Sequence, residues 1–235
     1  MNKVLFNTCL TCVLALLSSC QRMYSVKGTT DSERIEGRMV ALKLPSADGQ
    51  WTMVDSCEVT HGSFSMKGKV DSVVIATLFV DDVPLMPLIL EKGAMNVDIS
   101  NLDLRVSGTP LNNKLYAFID DKNKLDSRVM ELNHTESQMI MNGTSDAVVQ
   151  HYVDSTFSAL NEEMMDLVTD FISSNYTNVL GVCGFSMLSN GLDYPRMTPL
   201  IKRVLDDAPQ SFKDLPVVSH FVKAAGENEK EMSGY

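Results

Sequence analysis

Between Gly108 and Leu111 the hydrophobic pattern of this chain changes period, and that change limits the architectures open to it. Upstream, short β-rich runs are separated by turn residues every eight to twelve positions or so. Downstream, apolar residues recur at three and four, the spacing of a helix face. Pro110 marks the boundary, because proline suits the first turn of a helix and cannot donate inside a central strand. Strands that all precede the helices do not suit the alternating parallel sheet of an α/β fold. The pattern predicts an α+β fold: an N-terminal antiparallel β-sandwich or flattened barrel over 20–108, then an α-helical region over 109–226.

The β segment resolves into seven or eight strands, expected to form a meander. They are Tyr24–Gly28, Arg38–Leu44, Trp51–Val59, Ser63–Gly68, Ser72–Val80, Leu85–Leu90, Met95–Ile99 and Leu104–Gly108. Asp48-Gly49 is a hairpin signal, since both residues tolerate positive φ, and His61-Gly62 marks another turn. Strict alternation over the third run places Trp51, Met53, Asp55, Cys57 and Val59 on one face. Ser72–Val80 is almost continuously apolar, as a central strand would be, and Pro87 marks its successor as an edge or a bulge.

In the helical region Leu111, Leu115, Phe118 and Ile119 make one stripe, and Val129, Leu132, Met139 and Ile140 a weaker one. Asn142–Ser145 interrupts, and Ser145 or Asp146 can cap the next helix. That helix has the clearest stripe of all, from Val149 to Ile172. A shorter one carries Val179, Val182, Cys183 and Met187. Thr198-Pro199 opens another, and Pro216–Val222 is the last. The polar residues 227–235 are expected to be a disordered tail.

The first nineteen residues have the form of an export signal: Lys3, an apolar run from Val4 to Leu17, then Leu17-Ser18-Ser19-Cys20. The run is shorter than the ~20 apolar residues of a permanent membrane span. The segment resembles the lipobox of bacterial lipoproteins, which implies removal of 1–19 and acylation of Cys20, the palmitate-type anchor holding the chain to a membrane. Gln21 in place of an acidic residue implies, by the same resemblance, the outer membrane. Gln21–Tyr24 lacks the acidic run of surface-exported lipoproteins, so the periplasmic face is expected.

The net charge of −10 becomes −11 when Lys3 leaves with the signal. An acidic chain lacks the cations that bind phosphate backbones, so nucleic acid is not an expected partner. The Cys9-x-x-Cys12 pair leaves with the signal. Of five cysteines only Cys57 and Cys183 then remain as candidates for a disulfide or as free thiols.

Several motifs of the β segment are short but ordered: Val54-Asp55-Ser56, Gly62–Gly68, Leu88-Ile89-Leu90-Glu91-Lys92-Gly93, and Val106-Ser107-Gly108-Thr109-Pro110-Leu111-Asn112. In order and spacing they resemble the N-terminal domain of unknown function that precedes thioredoxin-like (AhpC/TSA-type) domains in bacterial envelope lipoproteins, over about 24–112. Asn178–Leu188 resembles the linker of those proteins. The resemblance implies a fold, an anchor and a compartment. It does not carry an oxidoreductase activity over, because no Cys-x-x-Cys follows Cys20.

The residues that could carry chemistry are scattered. His151 and Asp154 share a helix face without a second ligand pair, and His61, His134 and His220 stand apart. Glu162, Glu163 and Asp166 cluster on the longest stripe, where a solvated face is the ordinary role. Fifteen methionines fall mostly at core spacings, such as Met53, Met95 and Met164. No phosphate loop, nucleophile elbow or zinc-helix motif is present. No cofactor, metal site or catalytic residue is expected. The chain is expected to be a lipid-anchored, non-enzymatic module that binds a partner protein or ligand in the envelope. The alternative is an accessory to an envelope thiol–disulfide pathway that docks a separate thioredoxin-like protein.

Overall fold

The computed structural model describes residues 23–46, 50–100 and 104–234. The export segment, Cys20 and the Asp48-Gly49 turn lie outside them. The β segment forms β1 (Met23–Thr30), β2 (Met39–Pro45), β3 (Trp51–Glu58), β4 (Ser63–Lys69), β5 (Val74–Val80), β6 (Val83–Leu90), β7 (Gly93–Ile99) and β8 (Leu104–Ser107), with a 3-10 turn at Glu33–Ile35. Two four-stranded sheets have the orders β4-β1-β7-β8 and β3-β2-β5-β6. Between them Val26, Leu42, Leu78, Leu88 and Met95 are fully buried. The helices follow, so the α+β expectation holds.

The strands are not a meander. β1 lies between β4, antiparallel, and β7, parallel, while β2 crosses to the other sheet. Alternation reports which face of a strand is buried, not which strand lies beside it. A second difference lies in β3. Leu42 pairs with Asp55 and Lys43 with Met53, so Val54 is the extra residue of a bulge. One inserted residue reverses the facing of everything beyond it. Asp55, Cys57 and Val59 are therefore on the opposite face from Trp51 and Met53, which are 45% and 54% exposed. Met53 is not a core methionine. Trp51 sits edge-on to Phe79 at 5.0 Å, and the Lys43 ammonium lies 4.4 Å from the same ring's centroid.

The helical region comprises α1 (Pro110–Met141), α2 (Asp146–Ser173), α3 (Val179–Asn190), α4 (Pro199–Asp206), α5 (Gln210–Lys213) and α6 (Pro216–Ser233). The two stripes of 111–140 belong to one 32-residue helix. Ser145 occupies the N-cap of α2 without a side-chain bond, whereas Asn178 and Thr198 accept the Leu180 and Ile201 N–H groups. α6 runs through 227–233, where composition predicts a disordered tail. Ala225 is buried, Asn228 donates to the Pro195 carbonyl at 2.8 Å, and Lys223 and Glu227 pair one turn apart. Packing of one face orders a segment whose polarity argues for none. Both halves share one core. Phe118 stacks on Phe171 at 4.0 Å, and Phe185 meets Phe212 and Phe221 edge-on.

The halves are joined by a buried polar junction. Asn112, fully buried in the first turn of α1, acts as a strand partner to β6. Its Oδ1 accepts the Ile89 N–H at 2.8 Å, and its Nδ2 donates to the Ile89 carbonyl at 2.7 Å and to Thr109 Oγ1 at 2.8 Å. Thr109 makes no side-chain cap to α1. Instead Glu91 Oε1 accepts the N–H groups of Leu111 at 2.9 Å and Asn112 at 3.4 Å, placing a carboxylate at the positive end of the helix. Gly108 enters at φ +98°, and a β-carbon there would stand 2.4 Å from the Ala94 carbonyl, so only glycine serves. Two of the motifs of the sequence, 88–93 and 106–112, are the two sides of this junction.

Asn112→Leu should leave the Ile89 N–H and carbonyl buried without partners and lower stability by about 3 kcal/mol in urea unfolding. Asn112→Asp keeps the acceptor, loses the donor and sets a second carboxylate beside Glu91, and should destabilise at least as much. A change under about 1 kcal/mol for both would show that the junction does not hold the halves together.

Candidate binding cleft

β6 is an edge strand, and its sequence keeps other strands away. Pro84 and Pro87 have no N–H to offer. The outward groups of Ile89 are taken by Asn112, and the Pro87 carbonyl accepts the Tyr116 hydroxyl at 2.8 Å. α1 is thus held beside β6 without filling the space next to it. The result is a cleft of about 600 Å³ between β6, the 3-10 turn, the β7 and β8 ends, α1 and α3. Leu85, Ile119 and Met187 are among the half-buried side chains on its walls, above buried Met86, Ile99 and Tyr116. A shallower depression shares Leu85, Met86, Pro87 and Met187 and extends past Pro84 to Asn190 and Gly191.

The chemistry of the walls is narrow. Among the described residues the side-chain polar groups are the hydroxyls of Ser32, Ser100 and Tyr116 and the amide of Asn123. Among the described residues no carboxylate, amine, guanidinium, imidazole or thiol lines the cleft. Its size lies in the ordinary range for small-molecule sites, roughly 300–1,000 Å³. The walls suit an uncharged, mostly apolar molecule oriented by one or two hydrogen bonds.

The residues singled out by sequence are elsewhere. Cys57 is half-buried on β3 and Cys183 is buried on α3; both are free thiols. Burial raises the Cys57 thiol above its ordinary pKa and pushes Cys183 up to about 12. Glu162 and Asp166 both pair with Arg203 of α4, and Glu163 pairs with Arg128 of α1. The carboxylate cluster therefore fastens α2 to its neighbours at the surface and takes no part in the cleft. His61 occupies its turn at φ +52°. The N–H groups of Gly62 and His61 both donate to Glu36 and hold that carboxyl below the usual range. Asp154 accepts from Gln150, and His134 bonds Gln138. Among the described residues no group of three or more His, Cys, Asp or Glu side chains could hold a metal ion. Met95 is a core residue and Met164 packs against the core. The cleft itself was not legible in the sequence, although Pro84 and Pro87 together signal a strand with an open side.

Residues 24–115 match a protein family described as a domain of unknown function (DUF4369). The match covers the whole β-sandwich and ends within the first two turns of α1, so it includes both sides of the Glu91–Asn112 junction. No curated protein matches the chain.

In the native protein Cys57 should react with a thiol reagent at pH 8 well before Cys183, which should label only on unfolding. Cys183 carries its proton more tightly folded than unfolded. Its contribution is therefore present below the ordinary thiol pKa of 9.0 and lost as pH rises toward about 12. Cys183→Ala should remove that part of the alkaline loss of stability; an unchanged profile would show that other groups govern it.

Proposed function

We propose that this chain is a lipid-anchored binding module of the bacterial envelope and that the β6–α1–α3 cleft holds an uncharged, largely apolar ligand. The observation that carries the binding reading is a cleft of ligand size that no charged side chain lines among the described residues. A charged ligand would lose its hydration there and find no counter-charge. General acid–base catalysis requires a titratable group within hydrogen-bond reach of the reacting atom. Among the described residues the lining offers only hydroxyls and an amide as side-chain polar groups, which supports holding rather than turnover. Thiol exchange within this chain is also poorly served, with Cys183 buried and Cys57 half-buried. A redox role would rest on a docked partner's cysteines.

The anchor reading rests on sequence: a basic start, an apolar run and Leu17-Ser18-Ser19-Cys20. Among the described residues no helix is long and apolar enough to cross a membrane. Only short connecting sequence separates Cys20 from β1, so the lipid would hold the sandwich close to the bilayer.

Two measurements test the reading. Cells fed radiolabelled palmitate should label the wild-type chain and not Cys20→Ala; equal labelling would end the lipoprotein assignment. Nile red, a neutral apolar dye, should bind the purified chain saturably, and Ile119→Trp with Met187→Trp should weaken it at least tenfold. Trp51→Ala, remote from the cleft, should leave binding intact. Unchanged binding in the filled variant, with the fold retained by circular dichroism, would remove the cleft as the site.

A further inference from the structure

α1 and α2 extend past the body of the protein as a two-helix arm. Its direction follows from the topology. Gly108 and Asn113 hold the start of α1 at the end of the sandwich where β1 and β7 begin, since Tyr24 pairs with Gly93. Arg105 of β8 pairs with Asp120, so α1 runs antiparallel to β8 and hence along the direction of β1. From Leu125 to Met141 it continues for about 25 Å at 1.5 Å per residue. Leu125 and Leu132 of α1 and Val149 and Leu160 of α2 are buried there but stand apart from the main core.

The outer surface of this arm is unusual in two respects. Six large apolar side chains are exposed on it: Met130 (71%), Ile140, Met141 (84%), Val148, Tyr152 and Phe157. Met130 and Phe157 lie at matching distances from the turn on the two helices. The arm also carries one sign of charge. Residues 129–161 contain Glu131, Glu136, Asp146 and Asp154 and no Lys or Arg. Further back, Arg128 already pairs with Glu163.

We propose that the distal half of the α1–α2 hairpin is a docking arm for a protein whose matching surface sets Lys and Arg among apolar side chains. Exposed apolar groups of this size mark contact sites when they gather on one element, and uncompensated carboxylates around them select a basic surface and steer it in. An anionic lipid surface meets the same four carboxylates unfavourably, and so does a second copy of the arm. The arm points away from the end at which the chain enters β1. With Cys20 anchored, it reaches away from the membrane.

The test uses the full lipidated chain in the cells that make it. A photo-crosslinking amino acid is placed at Phe157 and at Met130, with Lys67 of β4 as control. Both arm positions should yield an adduct with one protein, absent at Lys67, whose attached peptide carries Lys or Arg beside apolar residues. With that protein purified, Glu131→Lys, Glu136→Lys and Asp154→Lys combined should weaken binding at least tenfold while unfolding is unchanged. Phe157→Ser should weaken it as well. Adducts with a second copy of this chain, adducts with lipid, the same adducts at Lys67, no adduct, or binding indifferent to charge reversal would each overturn the proposal. Nile red binding in the cleft is read separately, so either assignment can fail without the other.

Discussion

The side-chain amide of Asn112 completes the edge of a β-sheet. A sheet that is to be covered by helices presents outward N–H and carbonyl groups on its last strand, and these must be bonded before they can be buried. Asn112 offers a donor and an acceptor in the geometry of a strand neighbour and meets both groups of Ile89. Glu91, just beyond the end of the same strand, closes the opposite side by accepting the first N–H groups of α1. Neither half is satisfied without the other: β6 would keep open polar groups, and α1 would lack its cap. The single continuous core across the two halves depends on this exchange of bonds.

The cleft follows from the same arrangement. α1 is fixed at Ile89 and Pro87, where Asn112 and Tyr116 bond the strand, and β6 continues beyond to Leu85 and Pro84 with no described strand on its outer side. α3 comes in from the far side with Met187. The prolines that exclude another strand also keep the space from being filled by sheet pairing. The described walls of aliphatic side chains with a few hydroxyls then give a surface that rewards burial of apolar area and offer a charge no partner.

The junction also sets polarity. Because α1 begins where β1 begins and runs with it, the far ends of α1 and α2 emerge at the opposite end of the sandwich. The chain's entry and the arm's acidic, apolar tip are thereby placed apart, with the cleft between them. Ion pairs of Arg203 with Glu162 and Asp166 tie the base of the arm to α4, and the Arg128–Glu163 pair joins its two helices.

Much of the architecture was legible from residue patterns, because period and punctuation are local properties. The strands, the change at Pro110, the helix starts at Asn178 and Thr198 and the edge character of the Pro87 strand all follow from side chains within a few positions of one another. The export-type reading of the segment ending at Cys20 also rests on consecutive residues and stands as an expectation from sequence. Long-range pairing is not local. β1 lies parallel to β7 rather than beside β2, and the bulge at Val54 sends Trp51 and Met53 outward although the alternation itself is unbroken. Residues 227–233 gain their helix from packing against the Tyr194–Pro195 region, not from their own composition. The cleft and the arm belong to the same class of property. The sequence determined most of what became strand and helix, because those depend on neighbours along the chain. Only the tertiary structure decided which surfaces stayed uncovered, because that depends on where Asn112 and Glu91 fix one half against the other.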